Sequence, residues 1–265
     1  METDSRRGRR GVRPEDTSRW VFNRVAEVYP ARPDYPTALV DALADLAPPN
    51  GRVGDIGAGT GHLSIPLAER GHEVIAVEPA EAMLARLSAA ALARGARVRS
   101  LHAVAEALPL ETSSLDLAVV SDALHFLNVE RAASELFRVL VRRGALAVVT
   151  VDYGDTPYMR DVARIVEEES QRRPRQAAAA VAQLFTLARV PSRNAREFHD
   201  ETEMDAATLE RVLRSISFVG PAMNTERFAR FRARVLALDA RPVWSRTITL
   251  HAGRKALRAR APSAT

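Results

Sequence analysis

Three glycines fall within five residues in GDIGAGTGHL, at Gly57, Gly59 and Gly61, directly behind the apolar stretch RVGDI. Glycine weakens strands and helices alike, by roughly 0.5–1 kcal/mol per position, because it gives up the most backbone freedom on folding. A chain that concentrates it at one point needs bare main chain there, to turn tightly or to let something approach. The residues that follow, HLSIPLAER, carry helical spacing. A strand, a glycine turn and a helix in immediate succession therefore constrain everything around them.

The flanking segments repeat that alternation. A helix is expected over 36–46, opened by Pro36 at the tolerated first position and closed by Pro48, Pro49, Asn50 and Gly51. Strands are expected at 52–56, 73–78, 97–101, 115–121 and 145–151, with helices at 62–70, 80–94 and 130–141 between them. The runs LDLAVVS and ALAVVTV are almost wholly apolar, as strands buried on both faces are. Strand and helix in turn predict a doubly wound α/β sheet. Past Asp155 the alternation stops, and helices are expected at 156–170 and 174–189. They read either as a cap over the sheet or as an ordinary connecting pair. SISFV and RTITLH are expected to supply two last strands and complete a sheet of seven. The reading divides the chain into a disordered basic tail at 1–16, a core at 17–155, a helical cap insertion at 156–200, a completion of the sheet at 201–253 and a second disordered basic tail at 254–265.

The formal charge of +5 invites a nucleic-acid reading, so its location matters. Five arginines against Glu2 and Asp4 give residues 1–13 a charge of +3, and residues 254–265 carry +4. Subtracting both from +5 leaves −2 for everything between, so the basicity belongs to the tails and nucleic-acid binding is not expected. The first twenty residues are basic with no apolar stretch behind them, unlike a secretory leader. No apolar run approaches the roughly 18 residues of a membrane span. With 265 residues and no cysteine, disulfides and thiol chemistry are excluded, and a cytoplasmic address is expected.

In an open α/β sheet ligands bind where strands end, at the point where strand order reverses. Twenty-one residues after Gly57, Glu78 closes the second strand, where a carboxylate can accept both hydroxyls of a ribose and repel a 2′-phosphate. The dinucleotide fingerprint requires its third glycine where this chain has His62, and no phosphate-loop Gly-Lys-Ser/Thr is present. The spacing suits a small zwitterionic adenosine cofactor, although an ordinary tight turn would read the same way.

VGDIGAGTG followed by VEPAEAML resembles the first two motifs of the class I S-adenosylmethionine-dependent methyltransferases. AEALPLETSSLDLAVVSDALHFL and ELFRVLVRRGALAVV are similar to the stretches that follow in that family, and the resemblance covers residues 20–155. It implies a Rossmann-like, seven-stranded, mostly parallel sheet with helices on both faces, and S-adenosyl-L-methionine as cofactor. It implies that Gly57, Ala58 and Gly59 cradle the methionine portion with Asp55 bracing the loop, and that Glu78 holds the ribose. Pro79 and Met83 would pack along the adenine, Ala105 and Glu106 would meet its edge, and the Ser121 carbonyl would lie near the amine. Val104 departs from the acidic residue the family often has there. FNRVAEVYPARPDYP resembles a segment that folds over the cofactor in a small-molecule subgroup. By that resemblance Tyr29 covers the sulfonium side and Arg32 pairs with the cofactor carboxylate; a capping helix with core aromatics is the alternative.

Methyl transfer from an activated sulfonium needs alignment and desolvation first, and a base where the acceptor carries a proton. His125, just past the fourth strand, is expected as that base or as the group orienting the acceptor, against a histidine that merely satisfies a neighbour. His62 and His72 read as surface residues. Trp20, Tyr29, Phe126, Tyr153 and Tyr158, with Trp244 beside them, are expected to line the acceptor pocket. They would suit a flat or apolar small molecule of the kind met in secondary metabolism. No metal site is expected. An RNA methyltransferase and a non-methylating nucleotide-binding protein are the alternative functions, and monomer and homodimer both stay open.

Overall fold

The computed structural model describes residues 17–170, 177–192, 195–239 and 241–256. The expected tail at 1–16 and most of the one at 254–265 lie outside them. In chain order the elements are α1 (Thr17–Val25), α2 (Thr37–Ala44), β1 (Arg52–Ile56), α3 (Ser64–Glu69), β2 (Glu73–Glu78), α4 (Glu81–Ala93), β3 (Val98–His102), β4 (Leu115–Ser121), α5 (Val129–Val139) and β5 (Leu140–Tyr153). The second half adds α6 (Pro157–Glu169), α7 (Ala177–Leu187), β6 (Arg196–Glu203), α8 (Ala206–Ser215), α9 (Thr225–Leu236) and β7 (Val243–Arg254).

The seven strands form one sheet in the order β3-β2-β1-β4-β5-β7-β6. β1 to β5 are parallel, β7 runs antiparallel to β5, and β6 runs antiparallel to β7. Strand order reverses between β1 and β4, so the turns after those two strands flank one crevice. The central strands are buried on both faces: Leu115, Leu117, Ala118, Val119 and Val120 are all fully inaccessible. One apolar cluster joins β4 and β5 to α5 and α7, and a second joins α2 and α3 to the opposite face. The expectation of a mostly parallel, doubly wound sheet with helices on both faces holds.

Three expectations need correction. SISFV is no strand: Ile216–Val219 forms a turn behind α8, with Val219 donating to the Ile216 carbonyl at 2.9 Å. The strand that completes the sheet is β6, REFHDETE, which falls across the boundary drawn at residue 200. Its burial alternates, but Phe198 is its one large apolar residue, so the period-2 hydrophobic signal is missing. The two helices assigned to a single cap separate. α7 packs on α5 as part of the layer covering the sheet, whereas α6 packs on α9 in a distinct apolar cluster with α8 and Trp244.

The second tail also begins later than expected. Arg254 is the last residue of β7, and the Lys255 ammonium donates to the carbonyls of Phe137 and Leu140 at 2.6 and 2.7 Å. A cation there meets the orphan carbonyls and the negative dipole end of α5. Replacing it by Lys255→Met should lower unfolding free energy by about 1–3 kcal/mol in a urea titration. An unchanged midpoint would show that the ammonium contributes nothing to the fold.

Candidate functional site

The glycine loop is held from below by the end of β2. Gly57 and Ala58 donate their N–H groups to the Val77 carbonyl at 2.8 and 3.1 Å. The Glu78 carboxylate accepts from Gly59 N–H at 2.9 Å with one oxygen and from Ala80 N–H at 2.8 Å with the other. Burial raises the Glu78 pKa, and the two backbone hydrogen bonds pull it down. Gly57 has φ +79°, and a Cβ there would lie 2.7 Å from the Ala123 Cβ, so no larger residue fits. Gly61, at φ +93°, packs against Leu87 and Ile65 and does not face the crevice. It is the helix-packing glycine, one position ahead of where a dinucleotide fingerprint puts it.

Asp55, at the end of β1, accepts from the Ser64 hydroxyl at 2.5 Å. Burial pushes its pKa from 3.8 to about 6, partly offset by that hydrogen bond. Asp122 follows β4 in a left-handed backbone conformation, φ 45°, fixed by donation from its N–H to the Val149 carbonyl at 2.9 Å. Burial likewise pushes it to about 6, against the pull of Arg32, whose nearest nitrogen is 3.6 Å away.

Two hollows meet at the loop. The larger, about 670 Å³, has Asp55, Ala58, His62, His125, Tyr153 and Trp244 among its walls. The smaller, about 60 Å³, lies beside Gly59, Glu78, Pro79, Met83, Ala105 and Glu106. Phe22, Tyr29, Gly57, Ser121, Asp122 and Phe126 border both. Volumes of roughly 300–1,000 Å³ are usual for small-molecule sites. Phe22 meets Phe126 edge-on at 5.0 Å, and Tyr29 meets Phe22 and His62 in the same manner at 6.1 and 5.8 Å.

The segment from Val21 to Pro36 crosses the crevice and is tied down by several contacts. Asn23 accepts from Ala82 N–H at 3.0 Å, and Tyr35 and Ser121 share a hydroxyl hydrogen bond of 2.7 Å. Arg32 donates to the Ser215 hydroxyl and carbonyl and to the Tyr29 hydroxyl. Buried Arg246 pairs with Asp200 and donates to the carbonyls of Pro33 and Asp34.

Most residues expected at the site come together: each expected cofactor residue and Phe126, Tyr153 and His125 line one hollow or the other. His125 sits in the short turn Leu124–Phe126, its ring 4.0 Å from that of Phe126. Tyr158 does not join them; it packs from α6 into the cluster of α8 and α9. Trp20 belongs to α1, and its side chain is outside the described residues. Arg32 lines the larger hollow and directs three of its five N–H donors to Ser215 and Tyr29. His62 is half-buried in the wall of the larger hollow: its Nε2–H donates to the Arg32 carbonyl at 3.3 Å, leaving Nδ1 to accept from Thr60. His72 is buried too. Asp122, Asp152, Tyr35 and Arg246 were not expected. Asp122 was findable from its place directly after an apolar strand, whereas Arg246 works through partners over forty residues away. Among the described residues no three histidines or carboxylates converge to hold a metal, and no helix is long and apolar enough to cross a membrane.

Residues 54–148 match the family described as a methyltransferase domain. An uncharacterized methyltransferase of Mycobacterium tuberculosis is 41% identical over 118 residues, 44% of this chain and 46% of that protein. Demethylmenaquinone methyltransferase of Thermus thermophilus is 39% identical over 113 residues, 42% of this chain and 50% of that protein. The chain thus spans about half the length of these curated relatives. A solved structure from Anaeromyxobacter dehalogenans, provisionally described as a type II methyltransferase, superposes with TM-score 0.62 at 25% identity, covering 85% of this chain and 98% of that one.

The raised carboxyls have a consequence for stability. The unfolded chain loses the protons of Asp55 and Asp122 near its ordinary pKa, the folded chain only near 6. Between about pH 4 and 6 the folded state therefore holds more protons, and each group lowers stability as pH rises through that window. Asp55→Asn and Asp122→Asn should each flatten this decline in urea titrations run across it. Variants that follow the parent's slope would contradict the assignment.

Proposed function

We propose that the chain is a class I S-adenosylmethionine-dependent methyltransferase that methylates a small aromatic or apolar molecule held in the larger hollow, residues 54–148 matching a methyltransferase-domain family. The observation that carries this reading is the shared border: Gly57, Ser121 and Asp122 belong to both hollows, so a ligand in the narrow one faces a ligand in the wide one.

The residues fit the cofactor. Glu78 spends one lone pair of each oxygen on the loop, and a carboxylate has about four sites, so two stay available for ribose hydroxyls. Pro79, Met83 and Ala105 give the narrow hollow an apolar wall for the adenine, and Glu106 lies at its rim. The edge-on pair of Phe22 and Phe126 borders this narrow hollow, and its parting on binding would give the adenosine room. Gly57, Ala58 and Gly59 hold the methionine portion, with Asp55 and the Ser121 carbonyl toward the amine and Tyr29 over the loop. Arg32, committed to Ser215 and Tyr29, braces that lid rather than gripping the carboxylate.

When bound, S-adenosylmethionine supplies a methyl group on an already activated sulfur. The chain's contribution is to align the acceptor and exclude water. Phe126, Tyr153 and Trp244 give the acceptor an aromatic wall, in which Tyr153 and Trp244 meet edge to face. His125 on the same wall takes up the acceptor's proton or orients it, a role general bases fill with gains of roughly 10²–10⁴.

Calorimetry with S-adenosylhomocysteine should show binding, with NAD showing none, and Glu78→Ala should weaken it by about tenfold or more. A preference for NAD would overturn the reading. With an acceptor found by a labelled-methyl screen, His125→Ala should lower kcat by about a hundredfold or more while leaving S-adenosylhomocysteine affinity intact. Unchanged turnover across the pH range would remove His125 from the chemistry.

A further inference from the structure

We propose that Asp122 selects the acceptor, by receiving a hydrogen bond from an amine carried on an aromatic molecule; the inference rests on the methyl-transfer reading above. Asp122 stands on the border of both hollows, at the mouth of the crevice where the sheet reverses. Its backbone is held by the bond to Val149, which fixes where the side chain leaves the main chain. Asp122 forms an ion pair with Arg32 at 3.6 Å, and among the described residues nothing donates a hydrogen bond to its carboxylate, which leaves its oxygens able to accept one.

The charges around the wide hollow decide what such a carboxylate can receive. Its walls include Asp55, Asp122 and Asp152 against Arg32 and Arg246. Arg246 is already neutralised by Asp200 and directs its other donors at the Pro33 and Asp34 carbonyls. Arg32 points its donors at Ser215 and Tyr29. All three nitrogens of each guanidinium already donate within the protein, which leaves less of the fork through which arginine recognises carboxylates and phosphates. An anionic acceptor would thus enter a hollow with surplus carboxylates and lose its water without compensation. An ammonium gains twice, from Asp122 and from the aromatic faces of Tyr153 and Trp244 nearby.

Tyramine and 4-hydroxyphenylacetate test this, since they share one phenol ring and differ in the sign of the side-chain charge. Both would be titrated into the S-adenosylhomocysteine complex of the parent and of Asp122→Asn, following ligand signals by NMR. Asparagine tolerates the left-handed backbone, so the variant keeps its fold. Tyramine should bind the parent about tenfold more tightly than the carboxylate. Asp122→Asn should erase most of that preference, each protein being compared with S-adenosylhomocysteine at saturation. Equal or tighter binding of 4-hydroxyphenylacetate, no tyramine binding at millimolar concentration, or a preference undiminished in the variant would overturn the inference. If S-adenosylhomocysteine itself fails to bind the parent, the methyl-transfer reading fails and the inference goes with it.

Discussion

One buried carboxylate organises the crevice. Glu78 ends β2 and reaches across to the neighbouring turn, where its two oxygens take the N–H groups of Gly59 and Ala80. Each amide, left buried and unpaired, would cost about 1–3 kcal/mol, so the loop behind β1 and the start of α4 are held in mutual register. Gly57 and Ala58 add two donors to the Val77 carbonyl just below. The bare main chain of the loop is thereby shaped before any ligand arrives, which spares the entropy of ordering it at binding. Burial works against Glu78 keeping its charge, and its two amide partners are what offset that.

The second constraint is the way the chain roofs the crevice. Arg32 and Arg246 come from opposite ends of the sequence, yet both fasten the stretch around residues 29–35 to the far side of the sheet. Arginine suits this work because its planar fork satisfies several acceptors at once, here hydroxyls, backbone carbonyls and Asp200. The same commitment holds both cations in the wall of the wide hollow. Charge in the wide hollow is then set by carboxylates and its shape by aromatic rings. The fold's own stitching defines what the site can accept.

How much of this was legible in the sequence depended on whether the signal was local. The apolar runs of β4 and β5 announce strands buried on both faces, and the glycines announce a turn with no room for side chains. Glu78 is readable because it closes a strand two elements after that turn. β6 was not readable: an edge strand at the antiparallel end needs little apolar content, and REFHDETE offers only Phe198. SISFV misled for the opposite reason, since its apolar residues turn inward behind α8 without pairing to any strand. His62 reads as a polar residue at the start of a helix, and the N-terminal segment packed against it leaves it half-buried. The bond from Arg32 to Ser215 spans 183 positions and is invisible locally.

The claim beneath all of this is that the clamped loop receives a sulfonium nucleoside, its sugar at Glu78 and its sulfur toward the wide hollow. Crystals grown with S-adenosylhomocysteine test that most directly. Electron density should show the ribose hydroxyls on the Glu78 carboxylate, the adenine along Met83, and the thioether beside Gly57 and Asp122, with Phe22 and Phe126 parted. Density that leaves Glu78 bonded only to Gly59 and Ala80, with the nucleoside elsewhere or absent, would contradict it.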